Sequence, residues 1–270
     1  MELSETRVSL RLAFSATEGS LKYTLVENGT LTQVRKKNDG RIMALKVISK
    51  RLASHWKGEL VKREFELWRE LNDRNQRFLV KMYYSYTTET TFNFVMEFVP
   101  GGTMLGLLRM RGKFDPQLAI IYFIELLLCL ETFHQNQIVY RDIKAENVLL
   151  DEKGHIKLTD FGLARKMDDS ERNENLSFCG SPIYIAPETL LKEPYNRKVD
   201  FYALGVLLYE MTVGHPPFND KSAAEIRKMK LRSEASYPSN LDQRIKKILE
   251  KCLAMVSRVL LTKGPEGKNR

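Results

Sequence analysis

Tyr140-Arg141-Asp142-Ile143-Lys144-Ala145-Glu146-Asn147, followed thirteen residues later by Asp160-Phe161-Gly162, is the stretch whose reading decides the fold. Asp142 can accept a hydroxyl proton, while Asn147 and Asp160 offer two hard oxygen ligands suited to magnesium. The apolar run Val148-Leu149-Leu150 reads as a strand that fixes the asparagine, and Lys157-Leu158-Thr159 as a returning strand with Asp160 at its end. Between them Asp151-Glu152-Lys153-Gly154 is polar and ends on glycine, the composition of a hairpin turn. One base and two cation ligands gathered around a hairpin are the working parts of phosphoryl transfer.

With Ala186-Pro187-Glu188 further on, three motifs stand in the order found in eukaryotic protein kinases, which the chain resembles. Tyr140 ahead of Arg141-Asp142, the segment Val95-Met96-Glu97-Phe98-Val99-Pro100-Gly101-Gly102, and Ser177-Phe178-Cys179-Gly180-Ser181-Pro182 resemble the AGC group, the relatives of the cyclic-AMP-dependent and ribosomal-S6 kinases. The resemblance covers roughly residues 21–253 and implies a two-lobed α+β kinase fold. The expected plan is an extension over 1–20, a kinase domain over 21–262 and a short basic tail over 263–270. Within the domain, a small β-rich N lobe with one main helix takes 21–98, a hinge 97–103, and a larger, mainly helical C lobe 104–262. The activity implied is that of a serine/threonine protein kinase moving the γ-phosphate of ATP, with Mg2+, onto proteins near basic residues.

Toward the amino end, Leu21 to Val34 and Arg41 to Ser49 read as strands around the tight turn Asn38-Asp39-Gly40, and Leu60 to Leu71 as a helix. Ile42-Met43-Ala44-Leu45-Lys46-Val47 sets one lysine among apolar residues, the candidate to hold the nucleotide's inner phosphates. Helical geometry chooses its partner. Glu64 has Leu60, Val61, Leu67 and Trp68 three and four positions away and so lies on the inward stripe, whereas Glu66 neighbours Lys62, Arg63, Arg69 and Glu70. Glu64 is therefore assigned to Lys46.

Phe92 to Val99 alternates as a strand and breaks at Pro100-Gly101-Gly102, where two lobes sharing a cleft would join. The resemblance implies that backbone groups of Glu97 and Val99 bind adenine and that Met96 guards the back of the pocket. It also assigns Glu27, Gly29, Val34, Ala44, Glu146 and Leu149 to the nucleotide site. Asp142 and Lys144 are the implied catalytic pair, and Asn147 and Asp160 the metal ligands. Glu146 and Glu210 match carboxylates that read substrate arginine, a third such position is Thr103, and Ser181 matches a residue bridging base and lysine. Ser177 matches a phosphosite for an upstream activating kinase, its phosphate pairing with Arg141 and Arg165. Asp200, opening the apolar helix Phe201 to Met211, is expected to hold the catalytic loop's backbone.

Three departures keep a second reading open: a pseudokinase or scaffold of kinase fold, or a truncated gene product. Glu27-Asn28-Gly29-Thr30-Leu31-Thr32-Gln33-Val34, read as the phosphate-covering loop, keeps only its middle glycine. Val34 then stands a few residues too close to Lys46. The family's late arginine, partner to Glu188, falls near Leu260, with Arg258 the nearest substitute, and the group's hydrophobic tail motif is missing.

Composition suits this reading. At 270 residues, 43% hydrophobic and 29% charged, the chain has the make-up of an ordinary soluble protein with room for two lobes. Glu2, Glu5, Arg7 and Arg11 interrupt any signal-peptide core, and Leu118 to Leu130, broken by Glu125, reads as a buried helix too short to span a bilayer. Cys129, Cys179 and Cys252 lack metal-ligand spacing, which points to a reducing, cytoplasmic setting and leaves the nucleus open. The net charge of +9 is dispersed beyond Arg35-Lys36-Lys37, so a solvated basic surface is expected rather than a nucleic-acid partner. A monomer acting on protein substrates is the expected assembly.

Overall fold

The computed structural model describes residues 14–16, 24–26, 29–37, 39–51, 55–72, 76–167, 181–218, 222–232 and 235–254. They fall into two units, Met1–Pro100 and Gly101–Arg270, divided inside the segment read as the junction.

The first unit is a six-stranded antiparallel sheet: β1 (Phe14–Ala16), β2 (Thr24–Val26), β3 (Gly29–Lys36), β4 (Ile42–Ser49), β5 (Met82–Thr87) and β6 (Thr91–Glu97). Its order is β1-β3-β4-β6-β5, with β2 also paired to β3. The span expected as one strand to Val34 is thus a hairpin of β2 and β3, with Val26 opposite Gly29. Phe14–Ala16, inside the stretch read as an extension, adds a further strand against Val34–Lys36. Lys36 and Arg41 close the next hairpin, Lys36 N donating to Arg41 O at 2.8 Å.

Alternate residues of a strand face opposite sides of a sheet, so register sorts the side chains. Leu31 and Gln33 stand opposite Lys46 and Ala44, while Thr32 and Val34 stand opposite Leu45 and Met43. Phe94 and Met96 continue the Lys46 side on β6. On the other side Val34, Met43 and Val95 form a buried cluster with Leu45, Tyr83 and Tyr86 packed against it. Helix α1 (His55–Asn72) begins one turn earlier than its apolar pattern indicated. It packs Phe65 and Trp68 on Phe94, and Trp68 Nε1 donates to Val80 O at 2.9 Å.

The second unit is mainly helical: α2 (Met104–Arg111), α3 (Pro116–Gln135), α4 (Pro187–Leu190), α5 (Lys198–Val213), α6 (Ala223–Leu231) and α7 (Gln243–Ala254). Among them lie the short pairs β7 (Ile138–Val139) with β10 (Arg165–Lys166), and β8 (Val148–Leu150) with β9 (Ile156–Leu158). Asp115 caps α3, its Oδ1 accepting Gln117 N and Leu118 N at 3.0 Å, with Pro116 at the first helical position. At 20 residues α3 is longer than the sequence indicated and meets the length and apolarity of a membrane crossing. Its Ala119, Tyr122, Leu126, Leu130 and Phe133 are nevertheless buried inside the unit. Helix α5 is buried on nearly every face, and at Gly205 an added Cβ would sit 2.5 Å from Cys252 Cβ, so the glycine sets how closely α7 packs. Gly101 is equally constrained: its N donates to Leu150 O at 2.9 Å, and a Cβ would lie 2.4 Å from that oxygen.

Candidate active site

Between β7 and β8 the chain runs from Tyr140 to Asn147, and Asp200 in the first turn of α5 holds that loop. Asp200 is 0% exposed. Its Oδ1 accepts Arg141 N at 2.7 Å; its Oδ2 accepts Tyr140 N at 2.9 Å and lies 2.8 Å from His134 Nε2. A buried carboxylate with three such partners is compensated rather than stranded. His134, in the last turn of α3, was not singled out from the sequence; the available signal was a polar side chain beside Phe133 at the end of an apolar helix. Arg141 and Asp160 have φ of +69° and +64°. Non-glycine residues in that region store roughly 1–3 kcal/mol each and persist where the surroundings over-determine them.

Lys144 Nζ and Asn147 Nδ2 both donate to Asp142 Oδ2, at 2.8 and 2.7 Å, and Asn147 Nδ2 also reaches Asp142 O at 3.0 Å. The contacts among the described residues fall on Oδ2 and leave Oδ1 as the accepting oxygen. Burial raises the Asp142 pKa, against the opposing pull of Lys144 and Asn147. With its N–H groups turned to Asp142, Asn147 presents its amide oxygen as the ligand end. Asp160 closes the hairpin, its Oδ1 3.4 Å from Gly162 N. Among the described residues no three His, Cys, Asp or Glu side chains converge as a metal cage. Magnesium fits such a sparse pair, since it takes one or two protein ligands and completes its shell with phosphate oxygens and water.

In the first unit Lys46 Nζ donates to Glu64 Oε1 at 2.8 Å. Glu64 is 4% exposed and Glu66 lies in solvent, as the helical stripe required. Ala44 and Met96 share the Lys46 face. Val34 does not: assigned to the nucleotide from the sequence, it belongs to the opposite face with Met43 and Val95. The residue facing Lys46 from β3 is Leu31, three positions earlier. Gly29 opens β3 opposite Val26 and Ile48. Glu27 and Asn28 lie outside the described residues. Glu97 ties β6 to the start of β5, its N donating to Lys81 O at 2.8 Å and its Oε2 accepting Lys81 N at 3.1 Å. Val99 is half-buried.

Of the residues expected to read substrate, Glu146, Glu210 and Ser181 gather around Tyr184. Its hydroxyl donates to the Glu210 carboxylate. Burial raises the Glu210 pKa, Tyr184 opposes the shift, and the charge of Glu146 adds to it. Glu146 is exposed in the 3-10 turn Ala145–Asn147, so the two carboxylates sense each other from one surface. Ser181 O accepts Tyr184 N and Ile185 N at 2.9 and 3.1 Å, and a small cavity borders Ser181, Tyr184, Arg141 and Asp142. Thr103 caps α2, its Oγ1 accepting Gly106 N at 3.1 Å. Leu149, half-buried on β8, pairs with Lys157 and bridges Thr103. Arg141 donates from Nε to Leu163 O and from Nη1 to Tyr195 OH, at 2.7 and 2.8 Å. Its buried Nη2 has no hydrogen-bond partner among the described residues, nor has Glu188 Oε2. Burial raises the Glu188 pKa accordingly. Ser177 and Arg258 lie outside the described residues.

Residues 27–262 match the protein kinase domain, and the chain belongs to that family, in its AGC-type branch. It is 38% identical over 244 residues to the serine/threonine-protein kinase gad8 of Schizosaccharomyces pombe, a match covering 88% of this chain and 40% of that protein. Against the cAMP-dependent protein kinase catalytic subunit PRKX of Homo sapiens the identity is 36% over 228 residues, 84% of this chain and 62% of that one. The serine/threonine protein kinase ypkA of Aspergillus fumigatus is 39% identical over 218 residues, 78% and 33% of the two chains. The chain therefore spans between one third and two thirds of the length of these curated relatives.

Proposed function

We propose that the chain is a serine/threonine protein kinase transferring the γ-phosphoryl group of ATP to protein hydroxyls near basic residues. The observation that carries the reading is the Asp142 carboxylate, with one oxygen fixed by Lys144 and Asn147 and the other left to accept. Asp142 orients the substrate hydroxyl and takes its proton, and Lys144 offsets negative charge developing on the moving group. Asn147 and Asp160 are the residues suited to hold magnesium, which when bound neutralises charge on the phosphate oxygens. Lys46, oriented by Glu64, takes the inner phosphates, while Ala44, Leu31 and Met96 offer apolar surface and Glu97 and Val99 backbone groups to the base.

Glu146 and Glu210 suit an arginine on the substrate. An upstream kinase acting at Ser177 would supply a phosphate for the remaining Arg141 donor. A reducing, intracellular setting accords with the free thiols of Cys129 and Cys252.

Radiolabelled phosphate transfer from Mg-ATP to an arginine-rich serine peptide tests the reading. The parent chain is expected to label the peptide, and Asp142→Ala to lower the rate by about 10²–10⁴-fold. A parent that labels nothing at millimolar nucleotide overturns it.

A further inference from the structure

Helix α6 turns Ile226 and Lys230, four residues apart, toward the interior. An isoleucine is what an inward stripe asks for; a lysine with 1% exposure is not. Burying an ammonium is costly unless donors and charge are matched, and a well-packed apolar side chain commonly serves stability as well or better. Lys230 meets the condition by reaching away from its own helix. Its Nζ donates to Pro182 O at 2.8 Å and to Ile185 O at 2.7 Å. The ring centres of Tyr202 and Phe218 lie 5.4 and 5.9 Å from it, where aromatic faces favour a cation. Burial pulls its pKa down to about 7.

Both carbonyls belong to the short loop between Ser181 and α4. The same loop folds on itself through Ser181 O, sends the Tyr184 hydroxyl to Glu210, and shares a cavity with Asp142. Tyr184 is thus flanked on its own backbone by the two carbonyls that Lys230 holds. We propose that Lys230 is a positioning residue for the protein substrate: by fixing Pro182 and Ile185 it sets Tyr184, which in turn aims Glu210 at a substrate arginine. The proposal rests on the kinase reading above and adds to it a specificity role for a residue distant in sequence from every motif. Lys230 touches no reacting atom; it acts through Tyr184.

The test compares a serine peptide bearing arginines with its counterpart in which they are alanine, for the parent, Lys230→Met and Tyr184→Phe. In Lys230→Met the kcat/KM ratio of the two peptides is expected to fall about tenfold, the size of one lost charged hydrogen bond, with KM for ATP unchanged. Tyr184→Phe should lower the same ratio, and the double variant should fall no further. A merely structural role would reduce the active fraction and leave the ratio intact, and an unchanged ratio in the folded Lys230→Met overturns the proposal. Should Lys230→Met not fold, Tyr184→Phe decides: an unchanged ratio there removes the relay. Anisotropy titrations of the labelled peptides separate the two readings. A parent that binds the arginine peptide selectively but transfers no phosphate fails as a kinase only, and loss of that selectivity in Lys230→Met still supports the positioning role. A parent with no preference in binding or transfer overturns it.

Discussion

Asp142 exchanges water for Lys144 and Asn147, and burial outweighs their pull, so its pKa stands above the ordinary aspartate value. A carboxyl group with a raised folded pKa favours the native state below its unfolded pKa, and loses that contribution as pH rises through the folded one. Asp142→Asn, neutral throughout, should therefore gain stability relative to the parent on going from acid to neutral pH. Urea midpoints of both proteins across that range check the sign, and a variant-minus-parent difference that falls toward neutrality contradicts it. The activity of the parent carries the complementary signature: the acid limb of kcat/KM, which reports the base in its ionised form, should lie above the usual aspartate range. Local rules made much of this residue's setting legible, because Asp142, Lys144 and Asn147 lie within six positions of one another. They also chose Glu64 over Glu66, since the helical period alone separates an inward from an outward glutamate.

At the scale of elements, strand register revised what the resemblance had assigned. Residues 29–34 alternate too little in polarity to say which set faces Lys46, and a one-residue slip exchanges the two faces. Pairing with β4 places Leu31 and Gln33 on the Lys46 side and Thr32 and Val34 on the other. Leu31→Ala should weaken ATP binding by about tenfold, the loss of nearly two buried methylenes' worth of contact. Val34→Ala should leave that affinity unchanged and instead cost about 1–3 kcal/mol in the buried cluster with Met43 and Val95. Titration with a fluorescent ATP analogue, together with urea unfolding of each variant, separates the two effects. A weakened affinity in Val34→Ala alone would restore the original assignment.

For the whole molecule, nucleotide binding is readable without any transfer. A ligand that binds only the native state at one hundred times its dissociation constant adds about 2.7 kcal/mol. In a chain of this size that corresponds to a melting shift of roughly 5–10 °C. Mg-ATP should produce such a shift, EDTA should remove most of it, and Lys46→Met should abolish it. Melting curves that coincide with and without millimolar Mg-ATP would promote the scaffold reading in place of catalysis.

The sequence by itself determined the family, the grouping of Asp142, Lys144 and Asn147 on one loop, and the Lys46–Glu64 partnership. Each is written in residues a few positions apart or in one helical period. Tertiary structure alone decided which residues meet across long stretches of chain: His134 with Asp200, 66 positions apart, and Lys230 with Pro182, 48 apart. It also turned Val34 away from the Lys46 face and made Thr103 a helix cap. The division has a physical cause. Covalent spacing and periodicity fix what neighbours in the chain can do, whereas a buried polar group is satisfied by whatever the fold brings beside it, and no local pattern records that partner.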